Sequence, residues 1–159
     1  MANREIVTRS SEETIQFGCE LGAQFKPPVL VLLSGDLGAG KTTLTKGIVS
    51  GAGAAREEEV TSPTFTLVHK YGNGKRVFHV DLYRIGDFHD LETLGLEDVL
   101  SEPGVVIVEW PDKLKLRTDW PVVQIKLEHV EEDTRKIVIC DTAGILAAAK
   151  PTMTADQAP

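Results

Sequence analysis

Gly35-Asp36-Leu37-Gly38-Ala39-Gly40-Lys41-Thr42 stands between an unbroken apolar run, Val29 to Leu33, and a stretch patterned for a helix from Lys41 to about Ser50. Every fixed position of G-x-x-x-x-G-K-[ST] is met, and a strand before it with a helix after it is the context in which that spacing cradles phosphate. Glycines let successive backbone N–H groups turn toward one phosphate without a Cβ in the way, and the new helix adds its positive end. Lys41 is placed to neutralise β- and γ-phosphate oxygens, and the Thr42 hydroxyl to ligate magnesium. Gly35, Asp36, Leu37, Gly38, Ala39, Gly40, Lys41, Thr42 and Thr43 are therefore the candidate residues for a nucleotide held with Mg2+.

An apolar run without polar interruption suits a strand buried on both faces of a parallel sheet. Toward the N-terminus, Ser10 and Glu13 are spaced as a capping box ahead of Ile15, Phe17 to Cys19, Leu21, Gly22 and Phe25. This predicts a helix from Ser11 to about Gln24, broken by Lys26-Pro27-Pro28. Toward the C-terminus, Gly51 and Gly53 stop the helix that follows the glycine-rich turn. Thr64 to Tyr71 and Arg76 to Tyr83 read as strands around Gly72-Asn73-Gly74-Lys75, a hairpin signal that makes this part of the sheet antiparallel. Leu91 to Leu100 reads as a short helix, and Val105 to Val108 as a second fully apolar strand ending in Glu109. Val122 to Leu127 and Arg135 to Cys140 alternate and form a late antiparallel pair. The expected fold is α/β, a P-loop NTPase-like three-layer sandwich with a small mixed sheet. It forms one domain over residues 1–146, followed by a flexible tail over 147–159.

Two acids complete the chemistry. Glu109 ends a buried strand where a carboxylate can hold magnesium or orient water, although a solvated strand end has the same sequence. Asp81 lies in His79-Val80-Asp81-Leu82-Tyr83-Arg84, where alternation puts His79, Asp81 and Tyr83 on one face. That face either looks toward the γ-phosphate or belongs to a half-exposed edge strand. His79 reads as a packed or solvent-facing histidine rather than a ligand, and Arg84 as an anion contact or a surface ion pair. Ile137 to Gly144 imitates the strand and D-T-A-G switch of a small GTPase, but it comes late and no N-K-x-D follows, so it reads as a final strand and turn.

With 159 residues and 42% hydrophobic content, one domain can bury a core without staples. Seventeen Lys and Arg against 24 Asp and Glu leave a net charge of −7, the wrong sign for gripping nucleic acid through its phosphates. Cys19 and Cys140 lack metal-ligand spacing and read as free buried thiols. The polar start MANREIVTRSSEE lacks a signal core, and no run approaches the ~18 apolar residues that cross a bilayer, which leads to the expectation of a cytoplasmic protein with no membrane contact.

Gly35 to Thr42, Ser62-Pro63-Thr64-Phe65-Thr66-Leu67, His79 to Arg84 and Glu109-Trp110-Pro111, in this order and spacing from about residue 4 to residue 146, closely resemble the TsaE (YjeE) family. That family comprises tRNA threonylcarbamoyladenosine biosynthesis ATPases. The resemblance implies ATP with Mg2+, and partners TsaD and TsaB, which modify adenosine 37 of tRNAs reading ANN codons. The tRNA would then be held by the partner complex, and slow ATP hydrolysis would reset or support that complex between turnovers. Carried over residue by residue, Leu37 to Thr42 surround the phosphates, Thr42 and Glu109 hold magnesium, and Asp81 is an acid needed for hydrolysis alongside Lys41. Thr64 would sense the γ-phosphate or belong to a Pro-fixed connection, and Trp110 would stack near the nucleotide or pack at its rim. Ser11 is a nucleotide contact or a helix cap. Lys113 to Asp119 and the Ala-rich tail depart from the family pattern. The rival functions are a small-molecule kinase, which would usually carry an Arg-rich lid where this chain has only Arg56, Arg76 and Arg84, and a nucleotide-gated binding module without turnover.

Overall fold

In the computed structural model, which describes residues 2–36, 38–56, 59–60, 68–72, 76–82, 96–110, 119–141 and 144–146, the apolar run at Val29 lies at the centre of a seven-stranded sheet. The elements are β1 (Ala2–Thr8), α1 (Ser11–Gln24), β2 (Val29–Ser34), α2 (Lys41–Gly51), β3 (Val68–Tyr71), β4 (Val77–Asp81), α3 (Leu96–Val99), β5 (Val105–Glu109), β6 (Val122–Glu131) and β7 (Thr134–Asp141). Strand order is β1-β7-β6-β2-β5-β4-β3. β2 runs parallel to β5 and β6, and β4 runs parallel to β5, so four parallel strands form the middle. β3 extends it on one side, and β7 with β1 on the other, all antiparallel to their neighbours.

The two apolar runs are uninterrupted because both faces of the sheet are covered. Val29, Val31, Leu33, Val105 and Ile107 join the core with Phe17, Leu21, Leu44 and Ile48 of α1 and α2. Leu30, Val106, Val108, Phe78 and Val80 pack on the opposite side with Val99, Trp110 and Trp120. β6 shows the other regime: Val123, Ile125 and Leu127 are buried while Gln124 and Lys126 are exposed, as in a strand covered on one face.

The expected mixed sheet and helix limits are found, with two differences of detail. The hairpin pairs β3 antiparallel with β4, but β4 itself joins β5 in parallel and is an interior strand whose five residues are all buried. The edge-strand alternative for Asp81 is thereby removed. β1 is an added element: Ile6 and Thr8 point inward and Glu5 outward, an alternation short enough to be hidden in a charged N-terminus. The Asn73-Gly74 turn and residues 91–95 of the expected short helix lie outside the described residues, as do Tyr83, Arg84 and the tail.

α1 begins at Ser10, whose hydroxyl accepts from the Glu13 N–H at 3.1 Å, while the Glu13 carboxylate accepts from the Arg9 N–H at 3.0 Å. Ser10 is therefore the cap, and Ser11 is the exposed first residue of the helix. α1 and α2 touch backbone to backbone through Gly18 and Gly22 on one and Gly47 and Gly51 on the other. A Cβ on Gly47 would stand 2.1 Å from the Ile15 carbonyl oxygen and 2.8 Å from the Gly18 Cα. Gly47→Ala gains about 1 kcal/mol of helix propensity but overpacks at about 3 kcal/mol. A melting temperature lower by about 4–8 °C in calorimetry is the expected result, and an unchanged one would show that the helices can part freely.

Candidate active site

The glycine-rich turn leaves β2 at its carboxyl end, the end at which open α/β sheets bind ligands. Gly38 at φ 81° and Gly40 at φ 101° take left-handed backbone that a side chain would strain. Gly40 is also the N-cap of α2, so no side-chain oxygen caps that helix and its first N–H groups face the turn. These are the features that accept a phosphate.

Lys41 is 6% exposed and folds back over the turn, its Nζ donating to the Gly35 carbonyl at 2.5 Å and the Asp36 carbonyl at 2.9 Å. Burial lowers its pKa below the ordinary lysine range, and the negative charges of Glu109, Asp81 and Asp36, in that order, oppose the shift. Asp81 and Glu109 are neighbours in register on β4 and β5, and Glu109 is opposite Leu33 on β2. Both acids are buried, at 8% and 3% exposure. Glu109 is therefore not the solvated strand end, nor Asp81 the half-exposed edge residue, that sequence left open. The next residue, Trp110, holds φ 62° and its ring lies 4.7 Å from Lys41 Nζ. A bulky residue in left-handed backbone is an uncommon conformation that clusters at functional sites. Here it turns the indole back over the lysine.

Two residues outside the expected set also reach the site. His79 is fully buried, and its Nε2 lies 2.5 Å from Glu109 Oε2. Arg135 of β7 donates to the Gly38 carbonyl at 3.4 Å and is braced by the Glu132 and Thr134 carbonyls at 2.8 and 3.1 Å. A Cβ on Gly40 would stand 3.4 Å from its Nε. Sequence left His79 packed or solvent-facing; its burial decides for packed, and only the β4–β5 register reveals its partner. Arg135 is 97 positions from Gly38, and nothing local in the sequence marks it.

The structure thus gathers Gly35, Asp36, Gly38, Gly40, Lys41, Asp81, Glu109 and Trp110 at one end of the parallel strands, with buried Ala39 anchoring the turn. Thr42 and Thr43 occupy the first turn of α2. Leu37 and Thr64 lie outside the described residues. Among the described residues no three His, Cys, Asp or Glu are grouped to hold a metal ion. Magnesium at a P-loop needs only one or two protein oxygens beside phosphate, and a hydroxyl with a carboxylate, Thr42 with Glu109, is a donor set of that chemistry. Also among those residues, no helix is long and apolar enough to cross a membrane.

Residues 8–137 match the family model described as threonylcarbamoyl adenosine biosynthesis protein TsaE. The chain is 38% identical over 131 residues to the tRNA threonylcarbamoyladenosine biosynthesis protein TsaE of Bacillus subtilis, covering 82% of this chain and 80% of that one. It is 32% identical over 133 residues to the protein of the same name from Treponema pallidum, covering 84% and 97%. The crystal structure of Bacillus subtilis YdiB superposes with a TM-score of 0.66 at 31% identity, covering 87% of this chain and 84% of that one.

Proposed function

The chain belongs to the TsaE family, and from that premise we propose that it is a magnesium-dependent P-loop ATPase serving threonylcarbamoyladenosine modification of adenosine 37 in tRNA. The observation that carries the reading is the buried Lys41, set between the carbonyls of its own P-loop and the paired acids Asp81 and Glu109. A cation, a helix N-terminus and two carboxylates converging at parallel strand ends form the arrangement that phosphoryl transfer to water requires. The net charge of −7 supports a role in which TsaD and TsaB, rather than this chain, hold the tRNA.

Within this reading the P-loop N–H groups and Lys41 bind the β- and γ-phosphates, and Lys41 releases its two carbonyl partners to do so. Thr42 and Glu109 would hold magnesium, which supplies charge neutralisation on the phosphates when bound. Asp81, next to Glu109, orients the attacking water and receives its proton as the bond from the γ-phosphorus to the leaving oxygen of ADP breaks. Arg135 adds a second cation on the solvent side of the P-loop. Arg135→Ala is expected to weaken ATP binding about tenfold, the value of one partly exposed charge-assisted hydrogen bond. Calorimetry on the variant checks this, and unchanged affinity would leave Arg135 as a brace for the β6–β7 turn.

The test of the whole reading is phosphate release from ATP by the purified chain, alone and with TsaD and TsaB, with GTP as control. Slow ATP turnover that rises with the partners is expected. Release only with a small-molecule acceptor, or none with either nucleotide, would overturn it.

A further inference from the structure

His79 sits in the middle of the sheet with 0% exposure, flanked on β4 by Phe78 and Val80 and opposite Ile107 on β5. Its Nε2 meets Glu109 Oε2, while its Nδ1 is buried with no hydrogen-bond partner among the described residues. A buried ring nitrogen left unpaired costs about 1–3 kcal/mol. An apolar residue at this position would avoid that cost and pack equally well against such neighbours, so packing does not account for the imidazole. An ionised carboxylate only accepts hydrogen bonds, so in this pair Nε2 is the donor.

The register explains what the contact does. Glu109 lies opposite Asp81 and one pleat nearer the P-loop than Ile107, so His79 reaches it from below, from the interior side of the sheet. Oε2 is committed to the imidazole, which leaves Oε1 as the oxygen for a metal, and the carboxylate's charge is felt by Lys41. We propose that His79 is a positioning residue that fixes the Glu109 carboxylate for magnesium by holding Oε2 from beneath the site. This rests on the reading of Glu109 as a magnesium ligand. Hydrogen bonds behind a metal ligand orient it, and their loss lowers metal affinity by about 10- to 100-fold.

The test is calorimetric titration of Mg2+ into the chain saturated with a non-hydrolysable ATP analogue, with analogue affinity in EDTA as the second readout. His79→Leu is expected to raise the Mg2+ dissociation constant at least about tenfold and to leave the metal-free nucleotide affinity unchanged. His79→Gln, whose amide N–H can reach Glu109, should recover much of the loss, and His79→Asn, too short to do so, should not. The Asn and Gln pair carries the same comparison if the Leu variant does not fold. In a Glu109→Gln background, His79→Leu should add no further loss, because it acts only through that carboxylate. Wild-type Mg2+ affinity in the Leu or Asn variant, or an additive loss in the double variant, would overturn the inference while leaving the site intact. A wild-type chain whose nucleotide complex binds no Mg2+ would instead overturn the proposed function, and this inference with it.

Discussion

Replacing Lys41 with alanine is expected to weaken ATP binding by about a hundredfold or more while the chain stays folded. The ammonium can bond oxygens of two phosphates, and charge-assisted hydrogen bonds contribute about 1.5–3 kcal/mol each, so their joint loss is about 3 kcal/mol or more. The structure adds a reason for a larger effect. Asp81 and Glu109 act on the lysine from buried positions, and without it they would present uncompensated negative charge to an incoming polyanion. The fold should tolerate the change, because the lysine's hydrogen bonds go to carbonyls of a solvent-facing turn. The same group sets a pH dependence. Burial lowers the Lys41 pKa, phosphate binds the protonated form, and affinity therefore falls as pH rises, starting below the range in which an exposed lysine would titrate. Calorimetry across neutral to alkaline pH should show that decline in the wild type and a flatter profile in Lys41→Ala. Unchanged ATP affinity in the variant would refute the site.

The parallel core was legible because its signals are local. An apolar run before a glycine-rich turn can only be a doubly covered strand feeding a helix, and β2 with α2 is that arrangement. Glu109 was legible for the same reason, since an acid that ends such a run must emerge at the same end of the sheet as the P-loop when the strands are parallel. Asp81 was half legible. Alternation fixed its face, but whether that face is wet depends on a neighbour, and β5 on one side with β3 on the other decides the matter.

What stayed hidden depends on pairing between distant positions. Gly18 and Gly22 read only as part of an apolar stripe and Gly51 as a helix stop, and only the crossing of α1 with α2 gives them, with Gly47, a purpose. The contact of Arg135 with Gly38 needs β7 to come back beside β6, which lies next to β2. His79 needs the β4–β5 register before its partner appears. In each case the residue type is compatible with a bland role, and the geometry supplies the information that composition and periodicity lack.

Glu109→Gln should separate hydrolysis from metal-free nucleotide binding. Glutamine keeps the shape and an oxygen to accept from His79, so the buried imidazole is not stranded as it would be by alanine. The negative charge is lost, and with it the strongest of the three acidic influences on Lys41. Losing a group that stabilises transition-state charge, here the carboxylate that would hold magnesium, costs about 10²–10³ in rate, so kcat is expected to fall at least about a hundredfold in steady-state phosphate release with the partners present. ATP affinity without Mg2+ should hold or tighten, because the triphosphate meets one negative charge fewer. Glu109→Ala should lose the same activity and also stability, since it removes both the charge and the acceptor for His79. Mg2+ affinity of the nucleotide complex should fall together with turnover, because the lost charge belongs to the carboxylate that holds the metal, and wild-type Mg2+ affinity in Glu109→Gln would overturn that role. Asp81, its neighbour in register, handles the attacking water in this reading, so Asp81→Asn is the variant expected to lose turnover with nucleotide and Mg2+ binding intact.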